Sequence, residues 1–157
     1  MIDPYLTVKW VHILSATVLF GTGLGTALHL WLTHLSRDVA AIAVATRNTV
    51  RADWLFTLPS AVLQPLSGAL LIEMAGYGWD ETWILVSLLL YAIAGVCWLV
   101  VLKLQLRMRD LAQDARRAGG ALPAAYFRLV RLWFWLGWPA FIALILVFWL
   151  MVNRPSL

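Results

Sequence analysis

A lysine and a histidine lie one helical turn apart inside an otherwise apolar segment near the N-terminus. The segment reads "VKWVHILSA" from Val8 to Ala16, and the pair is Lys9 and His12. Ionisable side chains are costly within a bilayer, so their default interpretation is functional. A neutral imidazole can bind a metal, and the lysine ammonium could neutralise an acidic group of a ligand held there. Two structural alternatives stay open: His12 as a satisfied polar packing residue, and Lys9 as a side chain that snorkels to the membrane interface.

Other apolar runs place further polar side chains at the expected depth of His12, roughly 10 Å below the outer boundary. They are Gln64 and Ser67 on the second run and Tyr91 on the third. Pro65 follows Gln64, and a proline removes one backbone hydrogen bond and kinks a helix. These side chains form a candidate cofactor-binding site with His12. The alternative for Gln64, a hydrogen bond to a neighbouring helix, fits the sequence equally well.

The kind of ligand follows from what accompanies His12. A lone histidine with no nearby Cys, Asp or second His makes a poor zinc site, whereas haem needs only one or two axial ligands. His12 is therefore the candidate metal ligand, for the iron of haem b or a related porphyrin. Met74 and Met151, near outer helix ends, are candidates for a second axial position, and core filling is the alternative for each. His29 and His34 lie roughly 25 Å or more further along the first helix, so they cannot share an ion with His12.

The composition is that of an integral membrane protein. Of the 157 residues, 62% are hydrophobic and 13% are charged, and the mean hydropathy is +0.82. A soluble domain of this size needs more polar surface than these residues supply. The single cysteine, Cys97, excludes an internal disulfide and a cysteine-based metal cluster. The net charge of +4 comes from loop residues that membrane topology explains, so no nucleic-acid partner is expected.

Four apolar runs are each long enough to cross a bilayer core of ~30 Å as a helix. With short connections they predict one all-α transmembrane domain over residues 1–157, an integral membrane four-helix up-and-down bundle. The runs cover about residues 5–35, 54–75, 82–102 and 132–152, and the third is expected to continue as a polar helix to about residue 118.

The basic residues set the predicted orientation. The first and third connections, residues 36–53 and 103–131, carry most of the Lys and Arg, whereas residues 73–81 carry acids and no Lys or Arg. By the positive-inside rule the first and third connections are cytoplasmic, and both termini lie outside. The sequence thus predicts a multi-pass protein of a bacterial cytoplasmic (inner) membrane.

A helical wheel predicts which way His12 points. Each residue advances ~100° around the axis, so Ser15, Ala16 and Gly23 fall within about 60° of His12. Trp10 falls on the opposite, bulky side. His12 is therefore predicted to face the bundle interior, where small residues leave room for a neighbouring helix or a flat ligand.

Four stretches, one from each apolar run, resemble sequences of other proteins. The stretches are "YLTVKWVHILSATVLFGTGLGTA", "ADWLFTLPSAVLQPLSGALLI", "LYAIAGVCWLVVLKLQLRMRDLA" and "LGWPAFIALILVFWLMV". They resemble a bacterial family of predicted integral membrane proteins with no assigned function. The resemblance covers nearly the whole chain.

The run Lys9-Trp10-Val11-His12 is also similar, more distantly, to the "K-x-x-H" near the start of the HemJ family. HemJ is the oxygen-independent type of protoporphyrinogen oxidase, a small haem-b-binding membrane helical bundle. The resemblance implies His12 as an axial haem ligand and Lys9 as a companion polar residue. HemJ proteins also carry a functional lysine on a later helix, whereas the third span here has Ser87 and no lysine. That departure counts against oxidase activity more than against haem binding.

The leading hypothesis from the sequence is a membrane protein that binds haem b or a related porphyrin within the bundle, for redox chemistry or electron transfer. The alternative is a cofactor-free membrane module, a small transporter or an assembly subunit, in which Lys9, His12 and Gln64 line a hydrated cavity. Because four spans are few for a transporter, that alternative implies a homo-oligomer. The sequence leaves open whether the protein is an enzyme.

Overall fold

A computed structural model describes residues 3–155, and the elements in that stretch are helices. In chain order they are α1 (Pro4–Ser36), α2 (Val39–Ala52), a π-helical turn (Asp53–Thr57), α3 (Leu58–Ala75), α4 (Thr82–Arg117) and α5 (Ala124–Asn153). The π-helical turn continues α2 into α3, so Val39–Ala75 is a single helix of 37 residues. Within the described residues, four helices are long and apolar enough to cross a membrane, by length and composition. The predicted all-α membrane bundle is confirmed.

The turn between α1 and α2 is much shorter than the first predicted connection. α1 ends at Ser36, and its C-cap Arg37 adopts a left-handed backbone conformation with φ of 58° and donates its N–H to His34 O at 3.2 Å. The carboxylate of Asp38 then accepts the backbone N–H of Ala40 at 2.8 Å and caps the start of α2. An N-cap aspartate followed by an alanine-rich run favours a new helix. The predicted connection is therefore mostly helix, and the second apolar run is the later part of a longer helix.

The third predicted connection is also largely helical. α4 ends at Arg117, as the expected polar extension predicts, and Gly119 follows in a left-handed conformation with φ of 63°. α5 begins at Ala124, earlier than predicted, and takes Arg128 and Arg131 into its first turns. The arginines of this region therefore lie on helices that extend the two spans.

The helices pack as two hairpins that meet at one end. α1 packs mainly on α3, α4 packs mainly on α5, and α2 contacts both α1 and α4. We call the end that contains α2 the α2 end. Its core combines buried side chains of α1, α2, α4 and α5: Leu30, Ile42, Ala43, Ala45, Val101, Met108, Ala112, Tyr126, Val130 and Trp133. In lipid, close packing of this kind holds helices together, because lipid tails are as apolar as the side chains.

A smaller cluster closes the opposite end of the bundle. There the side chains of Trp83, Ile84 and Leu150 are buried against one another, between α4 and α5. The outward face of α1 agrees with the helical wheel, because the Trp10 side chain is 62% exposed while Ser15 is buried. Residues between the two clusters line a cavity, which is described below.

Candidate functional site

His12 lies between α1 and α3, and its ring is held by Ser67. The Nδ1 atom of His12 is 2.8 Å from Ser67 Oγ. That hydroxyl donates its own proton to the backbone oxygen of Leu63 at 2.6 Å. With that proton on Leu63, Ser67 Oγ accepts from His12 Nδ1–H, which in the neutral ring assigns the proton to Nδ1. Nε2 keeps its lone pair, and within residues 3–155 it has no hydrogen-bond partner.

Gln64 ties the same two helices together. Its Nε2 donates to the backbone oxygen of His12 at 2.8 Å and also to Ser15 Oγ. Gly68 packs beside the ring, because a Cβ at that position would stand 3.4 Å from His12 Cε1, in van der Waals contact. The expected grouping of His12, Gln64 and Ser67 at one depth is thus present. It takes the form of an interhelical hydrogen-bond cluster, as the packing alternative for Gln64 predicts.

The other predicted site residues lie apart from this cluster. The ammonium of Lys9 sits 5.8 Å from the centre of the Tyr5 ring, one turn outward, in the manner of an interfacial side chain. Met74 and Met151 are exposed at the ends of α3 and α5 rather than filling the core. Seven residues separate Met74 from Ser67, or roughly 10 Å along the helix. The second axial ligand therefore stays a prediction.

Tyr91 satisfies a backbone group that a proline leaves unpaired. Pro65 has no N–H, so the carbonyl four residues earlier, on Ala61, loses its helical donor. The Tyr91 hydroxyl donates to that carbonyl at 2.7 Å, from α4 to α3. A neighbouring helix thus supplies the hydrogen bond, which is how prolines are tolerated in membrane helices.

A cavity of about 490 Å³ lies between the two hairpins. Its wall is mostly apolar and rich in aromatic side chains: Phe20, Trp31, Tyr91, Trp98, Trp133, Phe134, Trp138 and Phe141. Leu24 on α1 and Trp138 on α5 line the cavity and are 50% and 53% exposed, so part of its wall also faces outward from the bundle. Of the predicted site residues, Tyr91 lines this cavity, whereas His12, Lys9 and Gln64 do not.

A carboxyl group sits in the wall of the cavity at the α2 end. Asp53 is 4% exposed and lies in the π-helical turn, whose first carbonyl accepts the N–H of Leu58 five residues on. The Gln105 amide is oriented to pair with both Asp53 and Trp133. In this orientation the amide nitrogen of Gln105 donates to Asp53 Oδ2 at 2.6 Å. Its oxygen then accepts from Trp133 Nε1 at 3.2 Å. A small polar cluster around Asp53 thus interrupts a mostly apolar wall, at a backbone irregularity of a kind found often at functional sites.

The sequence comparison decides the family. A family described as predicted integral membrane protein (DUF2269) matches residues 6–155. The chain belongs to this family. No curated protein and no solved structure matches it. The resemblance to a membrane protein family is thus confirmed over nearly the whole chain, and the comparisons do not show the more distant similarity to HemJ.

Sequence reasoning missed Asp53 in this DUF2269 protein. It placed the residue at the end of a polar connection, whereas the structure buries it inside a long helix. A signal was present in the spacing, because Ile42, Thr46, Thr49 and Asp53 recur at intervals of four, three and four residues. That is the pattern of one helical face, and the structure buries each of these side chains.

Proposed function

We propose that this protein binds a flat, largely apolar small molecule inside the membrane, in the cavity between its two hairpins. The observation that carries the proposal is the cavity itself, about 490 Å³ with a mostly apolar wall rich in aromatic side chains. Ligand sites are commonly 300–1,000 Å³, mostly apolar, and furnished with a few polar groups. Outward-facing lining residues such as Leu24 and Trp138 would give such a ligand access from the lipid. The proposal develops the cofactor-free alternative of the sequence and leaves open whether the protein stores, carries or transports its ligand.

The setting that we propose is the inner membrane of a bacterium. The α2 end carries most of the arginines, so the positive-inside rule puts it in the cytoplasm and both termini outside. If the protein moves its ligand across the membrane, a homo-oligomer supplies the additional spans.

Haem b, or a related porphyrin, bound through His12 is the second candidate. The observation in its favour is the ring itself, since His12 donates Nδ1–H to Ser67 and keeps the Nε2 lone pair. Histidines that bind metals are commonly fixed by a donation of this kind from the other ring nitrogen. A haem held there would supply one-electron redox chemistry.

The cavity does not fit that haem, because its lining contains no His, Cys or Met side chain. A macrocycle bound to His12 would lie outside the cavity, against lipid or a second copy of the chain. Among the described residues, no cluster of three or more His, Cys, Asp or Glu offers a site for a bare metal ion.

Energy transfer from tryptophan to diphenylhexatriene, a flat neutral fluorophore, tests the cavity proposal. Full-length protein in phosphatidylcholine nanodiscs should show saturable transfer, because four tryptophans line the cavity. Gly95→Phe should weaken binding about tenfold or more, since Gly95 lines the cavity and open space surrounds its missing Cβ. Gly25→Phe is the matched control, because Gly25 is equally unobstructed but lies outside the cavity lining. Equal binding by both variants would contradict the proposal.

The visible absorption spectrum tests the haem candidate. Protein purified from cells supplied with haem should show a Soret band that His12→Ala removes. The matched control is His29→Ala, on the same helix but outside the α1–α3 interface. A protein without the band, or a band that survives His12→Ala, would end the haem candidate and leave the cavity proposal in place.

A further inference from the structure

The carboxyl group of Asp53 has no cationic partner in the described chain. The ion pairs among residues 3–155 are Arg109–Asp110 and Arg117–Asp114, both on the polar part of α4. No Lys, Arg or His nitrogen of that stretch lies within 4.0 Å of the Asp53 carboxyl. Asp53 nonetheless lines a cavity whose wall is otherwise almost wholly apolar.

Neutral donors surround the carboxyl instead. Gln105 donates to Oδ2, and the hydroxyl of Thr57 and the indole N–H of Trp98 face the same group. The oxygen of Thr57 and the nitrogen of Trp98 are buried without reaching hydrogen-bonding geometry to any partner in the described chain. Thr57 is 4% exposed and lines the cavity. The groups that face Asp53 are therefore neutral donors, which can stabilise a carboxylate but do not neutralise its charge.

A buried charge without a counter-ion is strongly unfavourable, and acidic side chains inside membranes usually face a partner or a pathway. The missing partner of an ionised Asp53 is a cation. A bare metal ion does not fit, because the described chain groups no three metal-ligating side chains. An organic cation does fit, because Trp98 and Trp133 line the cavity beside the carboxyl, and indole faces attract ammonium groups.

We propose that this cavity is a site for lipophilic cations: the charged group lies beside Asp53, and the apolar body packs against the aromatic wall. This inference rests on the proposed function, because it takes the cavity to be a ligand site and adds the class of ligand. Quaternary ammonium compounds with a flat aromatic body are the simplest members of that class.

A matched pair of fluorophores separates the claim that the cavity binds cations from the claim that it is a ligand site at all. Diphenylhexatriene is neutral, and its trimethylammonium derivative has the same body with one positive charge. Wild-type protein in phosphatidylcholine nanodiscs should bind the cationic probe about tenfold or more tightly than the neutral probe, after subtraction of transfer in empty nanodiscs. Asp53→Asn should abolish that preference, measured as the ratio of the two affinities in the same variant. Asp53→Glu, which keeps the charge, should retain the preference.

Asp110→Asn is the control for net charge, because Asp110 is exposed and lies outside the cavity. It should leave both affinities unchanged. Three results would overturn the inference: no preference for the cation in the wild type, a preference that survives Asp53→Asn, or an equal loss of both probes in Asp53→Asn. Saturable binding of the neutral probe that Gly95→Phe weakens would still support the proposed function in each case.

Discussion

The two nitrogens of the His12 ring have different roles in this structure. Nδ1 is hydrogen-bonded to Ser67 Oγ, and the Ser67 hydroxyl donates to the backbone oxygen of Leu63. Nε2 has no partner in the described chain and is the atom that a ligand could use. The hydrogen bonds around His12 therefore hold α1 against α3 whether or not a haem is bound.

Ser67→Ala should lower the free energy of unfolding by about 1–3 kcal/mol, because it leaves the His12 N–H half-buried without an acceptor. Unfolding in mixed micelles, followed by circular dichroism, measures the change. Thr17→Ala is the matched control: its hydroxyl bonds only its own helix, to Ile13 O, and is exposed. A loss no larger than that of the control would show that the ring does not depend on Ser67.

At the scale of single residues, the sequence identified the interhelical cluster and missed the carboxyl. His12, Gln64 and Ser67 could be placed together because periodicity gives each a face and the distance from the helix end gives each a depth. Asp53 could not, because its burial depends on how far the second helix extends beyond the apolar run. Hydropathy does not report that extension when the added turns are rich in alanine and arginine.

At the scale of elements, the interaction of Tyr91 with α3 explains how the helix accommodates Pro65. The proline frees the carbonyl of Ala61, and a side chain from α4 donates to it at 2.7 Å. The contact also fixes the separation of the two hairpins near the middle of the cavity, where Tyr91 and Ala61 both line the wall.

Tyr91→Phe should therefore cost about 1–3 kcal/mol of stability, because it leaves the Ala61 carbonyl unpaired. In a Pro65→Ala background the same substitution should cost about 1 kcal/mol less, since residue 65 then supplies the helical N–H. A double-mutant cycle measures this coupling. Strictly additive effects would show that Tyr91 and Pro65 do not serve the same carbonyl.

Helix boundaries show which elements the sequence could predict. The four apolar runs located the spans, and the polar extension of α4 ends at Arg117, close to the expected residue 118. α2 was interpreted as a connection because it is too polar for a span. Its helical form comes from the Asp38 cap and from packing against α4, which only the fold provides.

At the scale of the whole molecule, the bundle consists of two hairpins that diverge from the α2 end. Composition and length were enough to predict four spans, because a bilayer allows few other arrangements. The pairing of α1 with α3 and of α4 with α5 was not predictable, since it depends on which small residues meet across the interfaces. The cavity follows from that pairing, so no single stretch of sequence could have indicated it.

The central claim is that the space between the hairpins is one ligand site, lined in part by both α4 and α5. Its most direct test is the affinity for diphenylhexatriene when the α5 wall is filled by Gly137→Phe, alone and combined with Gly95→Phe. Gly137 lines the cavity with open space around its missing Cβ. We predict a loss of about tenfold or more from Gly137→Phe alone, similar to that from Gly95→Phe. The pair should lose far less than the sum of the two free-energy changes, because either side chain already blocks the site. Affinity that Gly137→Phe leaves unchanged would contradict a site between the two hairpins.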